Sequence, residues 1–428
     1  MRKTLTLLLL ILSCSFAAKL HFTIHELKGK EPGSTLLVIG GIHGNEPGGY
    51  FAAAILAMHY KIKKGKLIVV PNLNFDSIIR NRRGIYGDMN RKFLKLKRSD
   101  PDYQIVKDIK SIILRDDIDF ILNLHDGHGF YRKEWQNAIF NPSAWGQACI
   151  IDQKCIESKK YSNLDEIAKK ITKNLNKELV KNHHSFNVKN TETKFKDEQM
   201  RLSLTYFAIT HGKPAMAIET SKNLDKTYEK VFYQLRAIEE FMKLMDIEFT
   251  RDFDLNLKKI EQTYKTYYSA VLNGLTPIDL ESVRKRVRFV PMKSKNNSIQ
   301  AKHPLAALKK VRNHFDLMVG NIKITTLSPE IIPHNRCIES VNIVADGKDI
   351  NVKVPGYFNV KESFMVKAPK FLRVNVIGYK KRGIVNENNI KIKTDELMKK
   401  FSIDKKNRNY RIEFYKDKEY CGMVILKR

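Results

Sequence analysis

The sequence predicts an α/β domain with a mostly parallel sheet flanked by helices, followed by a small β-rich domain and an immunoglobulin-like β-sandwich. Three observations predict it. Apolar runs of strand length alternate with helical stretches over residues 19–245, the pattern of a parallel sheet covered on both faces. Near residue 246 that alternation stops, and a basic alternating run, Val283 to Val290, takes over. From Cys337 onward short alternating strands are separated by turn signals such as Asp346-Gly347 and Pro355-Gly356. At 428 residues the chain exceeds what one hydrophobic core holds, and its 43% hydrophobic fraction is that of a folded protein.

Taken in order, Met1-Arg2-Lys3-Thr4 followed by Leu5 to Leu12 is a positive segment and a short apolar one, with a small-residue cleavage site by Ala17-Ala18. This predicts a secretory signal over residues 1–18. The apolar run is well short of the roughly 20 residues that span a bilayer, so no stable membrane insertion is expected after cleavage. Cys14 permits a lipoprotein reading, although Ile11-Leu12-Ser13-Cys14 matches the lipid-attachment pattern poorly. Lys19 to Leu27 alternates as an edge strand, and Thr35 to Gly40 is the first buried strand. The helix Tyr50 to Met58 begins after Pro47, which suits a first turn. Strands follow at Lys66 to Pro71, Asp119 to Leu124 and Pro214 to Glu219, with helices at Asp102 to Asp117, Leu164 to Val180 and Tyr228 to Met245. The last of these closes the domain at 245. Tyr264 to Leu272 reads as the final helical stretch, and Gly320 to Leu327 as a strand of the β-rich domain, 246–335. Residues 336–428 form the β-sandwich.

The chemistry starts in Gly40-Gly41-Ile42-His43-Gly44-Asn45-Glu46, where a glycine-rich turn after a strand presents an imidazole and a carboxylate three residues apart. Catalytic zinc takes three protein ligands and keeps a fourth position for water. His125, at the end of another apolar run, is the candidate third ligand, because open α/β sheets place their sites at strand ends. A lone His-x-x-Glu is common by chance. Around it, however, stand Arg83, Asn90-Arg91 and Glu219, which ends its own strand.

The order His43-x-x-Glu46, Arg83, Asn90-Arg91, His125, Glu219 resembles the zinc carboxypeptidases of the carboxypeptidase A superfamily, which includes the aspartoacylase-like deacylases. Within it the layout of signal peptide, this domain and two β-rich domains is similar to the peptidoglycan carboxypeptidases that set helical cell shape in bacteria such as Campylobacter and Helicobacter. The resemblance covers about the first 245 residues. It implies one zinc ion on His43, Glu46 and His125, with Glu219 as the catalytic proton carrier and Arg83 as the group that polarises the substrate carbonyl. Arg80 and Arg82 are neighbours that compete with Arg83 for that role. Asn90 and Arg91 match the pair that binds a terminal carboxylate, a task a planar guanidinium suits. Asp126 and His128 follow the third ligand, where groups orient the imidazole or line the pocket, and Asp126 is placed with the substrate-binding set. Trp145 is a candidate pocket wall, with packing as its alternative. Tyr206 is the nearest match to the family's mobile tyrosine, in surroundings that do not resemble the family loop. His183 and His184 read as surface residues.

The resemblance implies a periplasmic enzyme that trims muropeptide tripeptides to dipeptides by removing meso-diaminopimelate, with wall-modifying proteins as possible partners of the β domains. The alternatives are an N-acyl amino acid deacylase of the aspartoacylase type and a non-catalytic wall-binding scaffold. A net charge of +31 favours anionic partners. Export, and the lack of a helix-turn-helix, finger or stacking-aromatic signature, argue against nucleic acid. A lysine-rich solvated surface is the plainer account, and the basic run Val283 to Val290 reads first as one solvated strand face. Beyond the signal, four cysteines permit disulfides in an oxidising compartment. Cys149 with Cys155 would close a small loop, and Cys337 with Cys421 would join the ends of the last domain.

Overall fold

A computed structural model describes residues 21–428. The signal segment and Cys14 lie outside the described residues. One eight-stranded sheet organises the N-terminal half, in the order β1-β3-β2-β4-β7-β5-β6 with β8 also paired to β3. The strands are β1 (His25–Lys28), β2 (Glu31–Ile39), β3 (Tyr60–Val70), β4 (Phe120–Gly127), β5 (Ala148–Ile151), β6 (Asn187–Asn190), β7 (Ala215–Ser221) and β8 (Glu248–Arg251). Its centre, β3-β2-β4-β7, is parallel. Its flanks reverse direction, with β1 and β8 antiparallel to β3 and β5 antiparallel to β7. Every residue of β4 is buried, as expected of a strand covered on both faces.

Helix α1 (Pro47–His59) starts on its proline and packs against α4 (Thr227–Leu244). The run Ala52-Ala53-Ala54, wholly buried, lets α1 lie close to the sheet. Helices α2 (Tyr103–Ile113) and α3 (Leu164–Leu175) end earlier than their sequence patterns. For α3 the reason is Asn176, whose side chain donates to the Phe186 carbonyl at 2.9 Å and accepts from the Phe186 N–H at 2.7 Å, turning the chain toward β6.

Several expectations are corrected. The sheet does not end at residue 245, because β8 pairs with β3 and Arg251 reaches the buried Glu239 of α4 at 2.8 Å, which also accepts from Tyr60 at 2.7 Å. Tyr264 to Leu272 is not one helix. Helix α5 (Leu257–Tyr264) stops, and Ser269–Leu272 is a strand that buries Ala270 and Leu272 on alternate positions. His184 is buried rather than surface, its Nδ1 3.0 Å from the Tyr233 hydroxyl. Cys149 and Cys155 are both free thiols, because Cys149 points into the core from β5 while Cys155 is exposed. Burial pushes the Cys149 thiol up to about 12.

Downstream, Ser269–Leu272 centres a three-stranded sheet, and Arg286–Met292, Ile322–Ile331, His314–Val319 and Ala306–Val311 form a four-stranded one. The last unit has two four-stranded sheets enclosing a core that includes Ile343, Val366, Val374, Ile412 and Leu426. The bridge Cys337–Cys421 ties the entry of that unit to its final strand, across a separation of 84 residues. Closing a loop of that size removes about 4.5 kcal/mol of unfolded-chain entropy. Cys337→Ser/Cys421→Ser is therefore expected to lower the stability of this unit by about 3–5 kcal/mol, read from its guanidinium midpoint. A change below about 1 kcal/mol would mean the loop is already held by the sheets.

Candidate active site

The site sits where β2, β4 and β7 end. After β2 the chain turns at Gly41, whose φ of +79° is left-handed backbone that a side chain would strain. That turn sends His43 back over the sheet, and Glu46 becomes the residue preceding Pro47 at the start of α1. Strands β4 and β7 run parallel in a register that sets His125 beside Glu219 and Asp126 beside Thr220. Side chains alternate across a strand, so His125 and Glu219 share one face. Asp126 and Thr220 share the other, where α1 and α4 pack.

His43 Nδ1 lies 3.0 Å from one oxygen of Glu46, and His125 Nδ1 lies 2.9 Å from the other. All three residues are buried, and one donor atom from each lies within 4.8 Å of the others. Glu46 also accepts from Arg83 Nη1 at 3.1 Å, the Asp126 N–H at 3.2 Å and Lys222 Nζ at 3.5 Å. Burial disfavours a charged Glu46, yet His43 and His125 outweigh it and hold the carboxyl well below the usual range. Burial moves His125 the other way, down toward the neutral imidazole a metal requires. Behind His43, its Nε2 contacts Asp88 Oδ1 at 2.8 Å. Burial alone would lower His43; Glu46 and Asp88 together raise it.

Glu219 opens onto the same cavity, about 230 Å³ in volume, and its Oε2 is shut from solvent with no hydrogen-bond partner. Such a group is costly unless something else comes to it. Burial, then the anionic Glu46 and Asp126, push its pKa well above the usual carboxyl value. That is the direction for a group that must give a proton back after taking it.

Arg83, Asn90 and Arg91 also line the cavity. Arg83 Nε donates to Asp88 Oδ2 at 3.0 Å, so one aspartate braces both His43 and the guanidinium. Asn90 Oδ1 accepts from the Leu204 N–H at 3.0 Å, which leaves its amide donors to offer. Arg91 is held by the Asn90 carbonyl at 3.1 Å. The loop carrying them is pinned by Lys92, whose ammonium reaches Asp100 and Asp102 at 2.8 Å each and the Tyr86 carbonyl at 2.7 Å.

Trp145 and His128 line the cavity, as does Thr205 in place of its neighbour Tyr206. Asp126 lines the cavity as well, and both its oxygens are anchored within the protein. Oδ2 accepts from the Gly48 N–H at 2.8 Å and Oδ1 from the Thr220 hydroxyl at 2.6 Å. A Cβ at Gly48 would come within 2.3 Å of Asp126 Oδ1, so only glycine admits this link between β4 and the start of α1. Burial lifts Asp126 to about 6. Sequence reasoning missed Asp88 and Lys222. Asp88 had a signal, a lone acid among Arg80, Arg82, Arg83 and Arg91; Lys222, three residues after Glu219, had none.

Two imidazoles and a carboxylate, buried and convergent, with a carboxylate bracing the outer nitrogen of one imidazole, fit a divalent metal ion. A chain that can hold such an ion beside a proton-carrying carboxyl, with an asparagine–arginine pair for a terminal carboxylate, has the chemistry of a metallocarboxypeptidase. Residues 2–264 match the family of carboxypeptidases controlling helical cell shape, catalytic domain, and residues 334–428 match the C-terminal domain of metallo-carboxypeptidase. The chain belongs to this family. The catalytic match ends at residue 264, where α5 ends, rather than at 245. Among solved structures it is similar to the apo cell shape determinant protein Csd4 of Helicobacter pylori, at 37% identity and a TM-score of 0.92, covering 95% of this chain and 99% of that one. The tripeptide-bound form of that protein gives 37% identity, a TM-score of 0.91 and the same coverage. Its mDAP-bound form, described as a D,L-carboxypeptidase, gives 37% identity and 0.91 over 94% of this chain and 99% of that one. No protein with a curated description matches.

Proposed function

We propose that this chain is a zinc-dependent D,L-carboxypeptidase of the periplasm that removes meso-diaminopimelate from peptidoglycan stem tripeptides, leaving dipeptides, and so affects cell shape. The observation that carries the proposal is the presence in one cavity of His43, Glu46 and His125, the partnerless Glu219, and the Asn90-Arg91 pair. Likeness over nearly the whole chain to a relative with tripeptide- and mDAP-bound forms supports the wall substrate. Bound by His43, Glu46 and His125, zinc supplies an electrophile for the scissile carbonyl and brings the pKa of water toward neutrality. Asn90 and Arg91 grip the terminal carboxylate and fix which peptide bond lies at the site. Arg83 stands where the carbonyl oxygen gathers negative charge. Glu219 accepts a proton at its carboxyl and delivers it to the leaving amine. Trp145 walls the pocket. The β-rich units beyond α5, the last of them (336–428) read as an immunoglobulin-like sandwich, hold the catalytic domain to its polymer.

Mass spectrometry of purified muropeptides incubated with the mature protein tests this. Zinc-dependent loss of diaminopimelate from tripeptides alone is the expected result. Unchanged muropeptides, with zinc bound, would reject the wall substrate and direct attention to acylated amino acids.

A further inference from the structure

Two basic runs more than a hundred residues apart meet at the junction of the second and third units. Arg284 donates to the carbonyls of Lys399 at 2.9 Å and Asp404 at 3.0 Å, which draws Val283–Phe289 against Lys399–Arg408. Val283 and Asp404 also form a β-bridge. Arg286, Arg288, Lys399, Lys400, Lys405 and Arg408 are exposed there, and among the described residues none of them forms an ion pair. The one acid within the two runs, Asp404, is buried and accepts the backbone N–H groups of Lys406, Arg408 and Asn409, so it adds no exposed negative charge to them.

Within this patch the strand Arg286–Met292 carries a bulge, with Arg288 and Phe289 set between Val287, paired to Leu327, and Val290, paired to Pro329. Phe289 takes a φ of +53°, a conformation that disfavours an aromatic residue, and holds its ring 64% exposed. The buried Arg411 fixes it by donating Nη1 to the Phe289 carbonyl at 2.8 Å and Nη2 to the Arg288 carbonyl at 3.2 Å. Strain over-determined by a buried cation, in order to expose an apolar ring, is the mark of a binding element. Phe401 is a second exposed ring, with Lys400 over its face at 5.2 Å.

We propose that this patch binds the polymeric cell-wall glycan, its cations meeting the carboxylates of the stem peptides and Phe289 and Phe401 lying on sugar faces. Two rings spaced among many cations suit a polyanion with flat apolar faces better than a bilayer, which takes a continuous apolar face. The assignment rests on the proposed wall substrate and adds a contact to the polymer remote from the cavity.

Co-sedimentation with purified sacculi separates the two. Wild-type protein is expected in the pellet at about 50 mM salt and to be released at about 300 mM, by screening. Arg286→Glu/Arg288→Glu and Phe289→Ala are each expected to lower the bound fraction at least fivefold, with kcat/KM on soluble muropeptide tripeptide within twofold of wild type. Arg286→Lys/Arg288→Lys is expected to retain binding, which separates lost charge from misfolding. If the charge-reversed protein still pellets as wild type, or if all forms bind anionic phospholipid vesicles in preference to sacculi, the assignment is overturned. If sacculi are bound through the patch while no muropeptide is cut, the proposed reaction fails and the patch stands.

Discussion

Glu219→Gln is expected to lower kcat on the tripeptide muropeptide by about 10³-fold while leaving KM within a few-fold. The amide keeps the shape of the side chain and cannot carry a proton between water and the leaving amine. Asn90, Arg91 and Arg83 are untouched, so binding of the terminal carboxylate persists. The same substitution has a second consequence in chelator-treated protein. Burial and the neighbouring Glu46 and Asp126 raise Glu219 above its usual value of 4.5. A carboxyl whose pKa is higher in the folded state contributes its full stability below the unfolded pKa and loses it as pH rises through the folded one. A neutral amide at this position has no such loss. The variant is therefore expected to be the more stable form at neutral pH, by a margin that grows as pH is raised from 4.5. Thermal unfolding across that range reads the margin, and kcat the chemistry. Retention of more than a tenth of wild-type kcat would remove Glu219 from the reaction.

The parts of the site that sit in short ordered motifs were legible in the sequence. His43-x-x-Glu46 and Asn90-Arg91 each place two groups within one turn of chain, and His125 and Glu219 end apolar strands, so motif order alone gathers them. Asp88 escaped because its function is defined by what it touches, His43 on one side and Arg83 on the other, and the first of these lies far away in the chain. Asp126 was legible only in part. Its place next to a ligand set it at the cavity, while the α1 backbone N–H and the β7 hydroxyl that anchor its oxygens lie far away in the chain. In the fold, the fully apolar central strands showed themselves, whereas β5 and β6, four residues each between loops, carry too short a pattern to register. The misplaced boundary at 245 has a similar origin, since Glu248–Arg251 is polar on the outside and belongs to the sheet through its backbone and through Arg251.

Glu46→Gln is expected to have the largest effect on the metal-binding site, and through it on both stability and metal. Glu46 takes contacts from His43, His125, Arg83, Lys222 and the Asp126 N–H, so a buried anion stands at the centre of a largely cationic ring. Desolvation opposes that charge, while His43 and His125 favour it and hold the carboxyl below its usual range. An amide supplies no charge, and its nitrogen presents N–H groups to donors that already point inward. Removing one member of a buried charged set costs about 3–5 kcal/mol, because the others are left uncompensated. The chelator-treated variant should therefore unfold at markedly lower denaturant than wild type. Metal affinity should fall by more than the about 10–100-fold expected of Asp88→Asn, which removes only the brace behind His43. Metal content after dialysis against a competing chelator ranks the three proteins, and the order wild type, Asp88→Asn, Glu46→Gln is the expected one. Equal retention by Glu46→Gln and wild type would take Glu46 out of the metal site. The ring of donors would then be an electrostatic cluster, and Glu219 would have nothing to act beside.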